Sequence, residues 1–97
     1  MLQRRNPAND HLIVNINGRL LPRDEAGVSP FDSSVQNGDA VWEGLRLYDG
    51  RIFRLGAHLA RLHKSAAMLA YAGVPTEATL VAELARTLAA NQMHDGV

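Results

Sequence analysis

Hydrophobic positions along the chain first alternate at period two and later recur at three and four, which predicts two hairpins followed by two amphipathic helices. "LIVNI" (12–16) and "RLL" (19–21) flank Asn17 and Gly18, a pair suited to the type I′ turn of a two-residue hairpin. "VWEGLRLY" (41–48) and "RIFRL" (51–55) flank Asp49 and Gly50 in the same way, with Phe53 opposite Arg46 in the simple register. Between the hairpins, residues 22–40 mix Pro, Gly, Asp and Ser without periodicity, so an ordered loop with one helical turn after Phe31 is expected. A functional loop and a plain connector are both compatible with that stretch.

The first helix is expected over Ala57–Ala72, with Leu59, Leu62, Ala66, Leu69 and Ala70 as its apolar stripe and Gly73 and Pro75 as its stop. Thr76 caps a second helix carrying Leu80, Leu84 and Leu88 at intervals of four, which Asn91 ends. His94, Asp95 and Gly96 are turn residues, and Val97 reads as the first residue of a further strand. The chain is therefore expected to be cut short. Hairpins plus helices give the expected fold class, α+β: a two-layer sandwich with an antiparallel sheet and helices on one face.

Alternation sends Val41, Glu43, Leu45 and Leu47 to one face of the second hairpin and Trp42, Gly44, Arg46 and Tyr48 to the other. The first face suits a core, except that a carboxylate at Glu43 needs a donor that the sequence does not name. The second combines flat aromatics, a missing side chain and a fixed positive charge, which fits either a pocket wall or a solvated sheet face. On the following helix, His58, Arg61 and Ser65 share one side. Arg61 lies toward the N-terminal end, where a cation opposes the helix dipole unless an anion is close. An arginine fork beside free backbone amides suits phosphate or carboxylate, although an arginine lying along a helix surface fits the spacing equally.

Composition narrows the function classes. With 97 residues, 46% hydrophobic and 21% charged, the chain can fold as one domain with one modest core. Its ten basic residues balance ten acidic ones and are scattered, which argues against a nucleic-acid surface. There is no cysteine, no apolar run of membrane-spanning length and no signal-peptide core, so a cytoplasmic location is expected. His58 and His63 are five apart and point about 140° apart on a helix, while His11 and His94 stand alone, so no metal site is expected.

The run "NGRLLPRDEAGVSPFDSSVQNGDAVWEGLRLYDGRIFRLGAHLARLHKSAAML" resembles the N-terminal domain of class IV (fold type IV) pyridoxal-phosphate aminotransferases, nearest the branched-chain amino acid type. The likeness runs from about residue 12 to Val97 and is most specific in "NGDAVWEGLR" and "HLARLHKSA". It implies that Arg61 binds the cofactor phosphate and that Trp42, Gly44 and Arg46 line the side of the pocket receiving the substrate. Asn37 stands where many members place a tyrosine contributing to the neighbouring subunit's pocket, and Trp42 replaces the usual Phe or Tyr. In the family, the remaining phosphate contacts, the carboxylate that pairs with the pyridine nitrogen and the Schiff-base lysine come from the C-terminal domain.

Lys64 is the sole lysine and does not occupy that catalytic position. The expectation is thus a single domain, 1–97, truncated before its lysine-bearing partner domain and inactive alone. The complete enzyme would use pyridoxal 5'-phosphate with small amino acids and 2-oxo acids, as a homo-oligomer. Alternatives are the same domain of a D-amino acid aminotransferase or aminodeoxychorismate lyase, or a non-catalytic oligomerisation module from a truncated gene.

Overall fold

The computed structural model describes residues 4–97 and contains two short antiparallel ladders and two long helices, an α+β arrangement. Strands β1 (Ile13–Ile16) and β2 (Arg19–Pro22) pair with Ile13 opposite Pro22 and Ile16 opposite Arg19. Their turn has φ of 54° at Asn17 and 83° at Gly18, the doubly positive geometry that Asn-Gly favours. Between the hairpins a single helical turn, α1 (Ser33–Gln36), is capped by the Asp32 side chain on the Ser34 amide.

The second ladder is shorter than the alternating sequence predicts. Only β3 (Leu47–Tyr48) and β4 (Arg51–Ile52) form it, with a further bond from the Phe53 amide to the Arg46 carbonyl at 2.8 Å. Residues 41–46 find no ladder partner among the described residues, so the sheet stops where the backbone bonds do. Burial nevertheless alternates through the whole run: Val41, Glu43, Leu45 and Leu47 turn inward while Trp42, Gly44, Arg46 and Tyr48 are exposed. The period-two expectation holds for side-chain direction and fails for pairing. Consequently the strands form two separate ladders rather than one continuous sheet.

Helix α2 spans Leu55–Met68, beginning two residues before its predicted start and ending four before its predicted stop. The early ending has a local cause. Ala70 takes a left-handed conformation (φ 56°), the Tyr71 amide bonds to the Ala66 carbonyl and the Ala70 amide to the Ala67 carbonyl. That is a Schellman closure built on alanine rather than glycine. Helix α3 (Glu77–Ala90) is capped by Thr76 as expected, and its end repeats the same closure with Gln92 (φ 50°) in the left-handed position.

Side chains on α3 satisfy the edge of β1. Asn91 accepts from the Ile13 amide at 2.7 Å and donates to the Ile13 carbonyl at 2.9 Å, while Asn15 donates to Glu83 and Thr87. His63 donates to the Pro75 carbonyl at 2.7 Å, tying α2 to the segment that leads into α3. After α3 the chain returns along β3: Leu47 and Gly96 form an antiparallel bridge, and the Gly50 amide bonds to the His94 carbonyl. The buried apolar residues among those described are Leu47 on β3 and Leu59 and Ala66 on α2, so the core is small.

Candidate functional site

Glu43, the carboxylate that the sequence left without a donor, is the centre of the site. Its side chain is only 8% exposed and its partners both come from α2. Arg61 donates from Nε to Oε1 and from Nη2 to Oε2, each at 2.5 Å, and His58 Nδ1 lies 2.7 Å from Oε2. A bidentate, charge-assisted fork of this kind is among the strongest polar contacts available to a side chain. It exists because inward alternation on residues 41–47 turns Glu43 toward α2, where the three-residue spacing sets His58 and Arg61 on one side.

The electrostatics follow from that geometry. Hydrogen bonds from Arg61, then from His58, pull the Glu43 carboxyl down to about 2, with partial burial opposing them. The same contact pushes the Arg61 guanidinium further above its ordinary range. An ionised carboxylate only accepts, so the His58 Nδ1 facing it carries a proton. That proton is directed at Glu43 and leaves nothing at Nδ1 to accept from Arg61 Nη2, 3.3 Å away.

Two clefts meet at Arg61. One, of about 330 Å³, is lined by Phe53, Arg54, Ala57, His58 and Arg61; the other, of about 350 Å³, by Trp42, Glu43, Gly44, Arg61 and Ser65. Although Arg61 is anchored through Nε, its side chain remains 65% exposed. The guanidinium thus reaches from a buried carboxylate to open cleft. Arg54 adds a second cation to the first cleft from the left-handed residue (φ 53°) that starts α2, a helix with no side-chain cap and no acid in its first turn. A doubly anionic phosphate fits this donor set: one guanidinium with an outward edge, a second arginine, and helix amides lacking a capping side chain.

The remaining predicted residues are distributed around this centre. Trp42 and Gly44 share a cleft with Arg61, and Trp42 is 83% exposed. Arg46 lies outside both clefts, its guanidinium 5.0 Å from the Tyr48 ring centroid in a cation–π contact. Tyr48 in turn packs edge-on against Phe53, which lines the first cleft. Asn37 sits at the end of α1, exposed, and lines neither cleft. Lys64 is exposed on α2. Sequence reading assigned no role to Glu43 and did not single out Arg54; the inward position of Glu43 was the available signal for the first, and nothing in the pattern marked the second. Among the described residues, no group of three His, Cys, Asp or Glu could hold a metal, and no helix is long and apolar enough to cross a membrane.

The site is thus an α+β domain's exposed arginine, braced against a largely buried carboxylate at the junction of two clefts. Residues 40–97 match the family model for amino-transferase class IV, and the chain belongs to that family. It is 47% identical over 89 residues to a branched-chain-amino-acid aminotransferase-like protein 2 of Arabidopsis thaliana, covering 92% of this chain and 16% of that protein. It is 42% identical over 83 residues to a D-alanine aminotransferase of Bacillus licheniformis, covering 86% of this chain and 29% of the relative. A putative branched-chain-amino-acid aminotransferase of Methanocaldococcus jannaschii is 35% identical over 82 residues, 84% of this chain and 28% of its own length. The chain therefore spans less than a third of each of these relatives.

Proposed function

We propose that this chain is the N-terminal small domain of a branched-chain-type class IV aminotransferase, supplying one arginine to the phosphate of pyridoxal 5'-phosphate and one wall of the substrate pocket. The observation that carries the proposal is Arg61, fixed through Nε by Glu43 yet open to a cleft that also holds Arg54. The cofactor, when bound, supplies the electron sink for moving an amino group between an amino acid and a 2-oxo acid. This chain's own part is to neutralise and orient. Arg61 takes the phosphate, Arg54 adds positive charge to the same cleft, and Trp42 and Gly44 shape the adjoining one. Arg46, held beside Tyr48 and outside both clefts, shares the exposed side of residues 41–48 with Trp42 and Gly44, which supports a role toward a substrate carboxylate.

The branched-chain assignment rests on the "EGLR" run and on likeness to proteins bearing that name; the 42% identity to a D-alanine aminotransferase supports a D-amino acid reading as the alternative. In either case the domain works in the cytoplasm, as part of a homo-oligomer, and is inactive alone. An amino-group transfer of this kind needs an amine to hold the cofactor, and exposed Lys64 lies on α2 beyond the lining of both clefts. Incubating the chain with pyridoxal 5'-phosphate, glutamate and a branched 2-oxo acid should yield no transfer of the amino group above the protein-free rate. Turnover abolished by Lys64→Ala would overturn the inactive-domain reading.

A further inference from the structure

The geometry points to Glu43 and His58 as positioning residues that aim the outer edge of the Arg61 guanidinium at a doubly charged oxyanion. This inference rests on the phosphate-binding reading and adds residues to it. A guanidinium offers two forks for bidentate recognition: a side edge, Nε with Nη2, and an end edge, Nη1 with the other proton of Nη2. Glu43 occupies the side edge completely, through both carboxylate oxygens. No side chain among the described residues accepts from the end edge, since the Nδ1 of His58 directs its proton to Glu43. The Glu43 side chain is largely buried and that of Arg61 is not, and Arg61 lines both clefts, so the unpaired fork belongs to the exposed part of the pair.

Two effects of Glu43 oppose each other. Its charge repels an incoming anion, whereas its fork removes the rotamer freedom that an arginine would otherwise lose on binding. Orientation prevails here because Glu43 lines the second cleft but not the first, where Arg54 supplies the second cation, and because the anion need not displace it. The His58 proton completes the arrangement by fixing the carboxylate plane. An arginine that had to break its pair to bind would instead be regulated by Glu43 as a competitor.

Sulfate is a suitable probe, being doubly charged across the neutral range, and the Arg61 side-chain NH signals of the ¹⁵N-labelled chain report on each edge separately. In the wild type, sulfate should shift the Nη signals while the Nε–H signal stays sharp and in place. Glu43→Gln should broaden Nε–H and weaken sulfate binding about tenfold, the scale of one lost charge-assisted contact. His58→Ala should weaken it less, and Glu43→Asp, which keeps the charge but shortens the reach, should recover only part of the loss. Sulfate binding to Glu43→Gln at least as tight as wild type, or displacement of the Nε–H signal in the wild type, would overturn the positioning role while leaving the anion site intact. Wild-type binding that Arg61→Lys leaves unchanged would overturn the phosphate reading itself. The wild-type spectra decide between positioning and competition even if Glu43→Gln does not fold.

Discussion

Glu43 is an acidic residue placed where an alternating strand calls for an aliphatic one, and it is tolerated because three N–H groups from α2 converge on it. A buried carboxylate with fewer donors would protonate or turn outward. Its depressed folded-state value fixes the sign of a pH effect. The ionised form is favoured by folding, so its stabilisation is complete above the ordinary value of 4.5 and is lost as pH falls through about 2. Urea midpoints of wild type and Glu43→Gln should therefore differ near neutrality and converge through that window. Asp32 and Glu83, also held below their ordinary range, the first by Ser34 and the second chiefly by Asn15, are present in both proteins and cancel in the difference. A gap that stays constant with pH would show that Glu43 acts through packing alone.

At the level of elements, both long helices stop by the same device, and neither uses glycine for it. Ala70 and Gln92 accept a left-handed conformation so that the last carbonyls of α2 and α3 are satisfied. A β-carbon there costs about 1–2 kcal/mol, partly offset by the freedom that glycine would add to the unfolded chain. Ala70→Gly should accordingly stabilise the domain by about 0.5–1 kcal/mol, seen as a rise in Tm of a few degrees; an unchanged or lower Tm would show that the Ala70 methyl group contributes packing that outweighs the strain. The missed end of α2 has the same origin. Periodicity extends through Leu69 and Ala70, and Gly73 is the residue that announces a stop, but the backbone turns three residues sooner because the Schellman bonds close first. The start and end of α3 were readable, since Thr76 caps the first turn through its own side chain and Asn91, whose amide donates to the Thr87 carbonyl, sits beside the closure at Gln92.

The whole molecule is more open than its size requires. It exposes 7878 Å² for a mass of 10.6 kDa, against about 5,500 Å² for a compact monomer of that mass. Its radius of gyration, 14.5 Å, exceeds the roughly 12.5 Å typical of this length. Phe31, Trp42 and Met68 are each largely exposed, and Ile52, Leu55, Val81, Leu84 and Leu88 line an open apolar cleft of about 550 Å³ between the β3–β4 hairpin and α3. Apolar surface on this scale favours association. Light scattering on the purified chain should give a mass above that of one copy, increasing with concentration; a stable monomer across the range would refute self-association.

By itself the sequence determined what local chemistry decides: the two turns where Asn-Gly and Asp-Gly meet positive φ, the Thr76 cap, the inward and outward sides of residues 41–48, and the motifs by which the family is recognised. Only the tertiary structure decided that Glu43 and Arg61, eighteen residues apart, form one unit, and that residues 41–46 lack a ladder partner among the described residues. Turn and cap preferences act within a few bonds, so each residue carries them wherever it sits. The direction of a side chain is likewise local, but whether it meets a carboxylate or solvent depends on how residues 41–47 and α2 are brought together, which no single residue encodes.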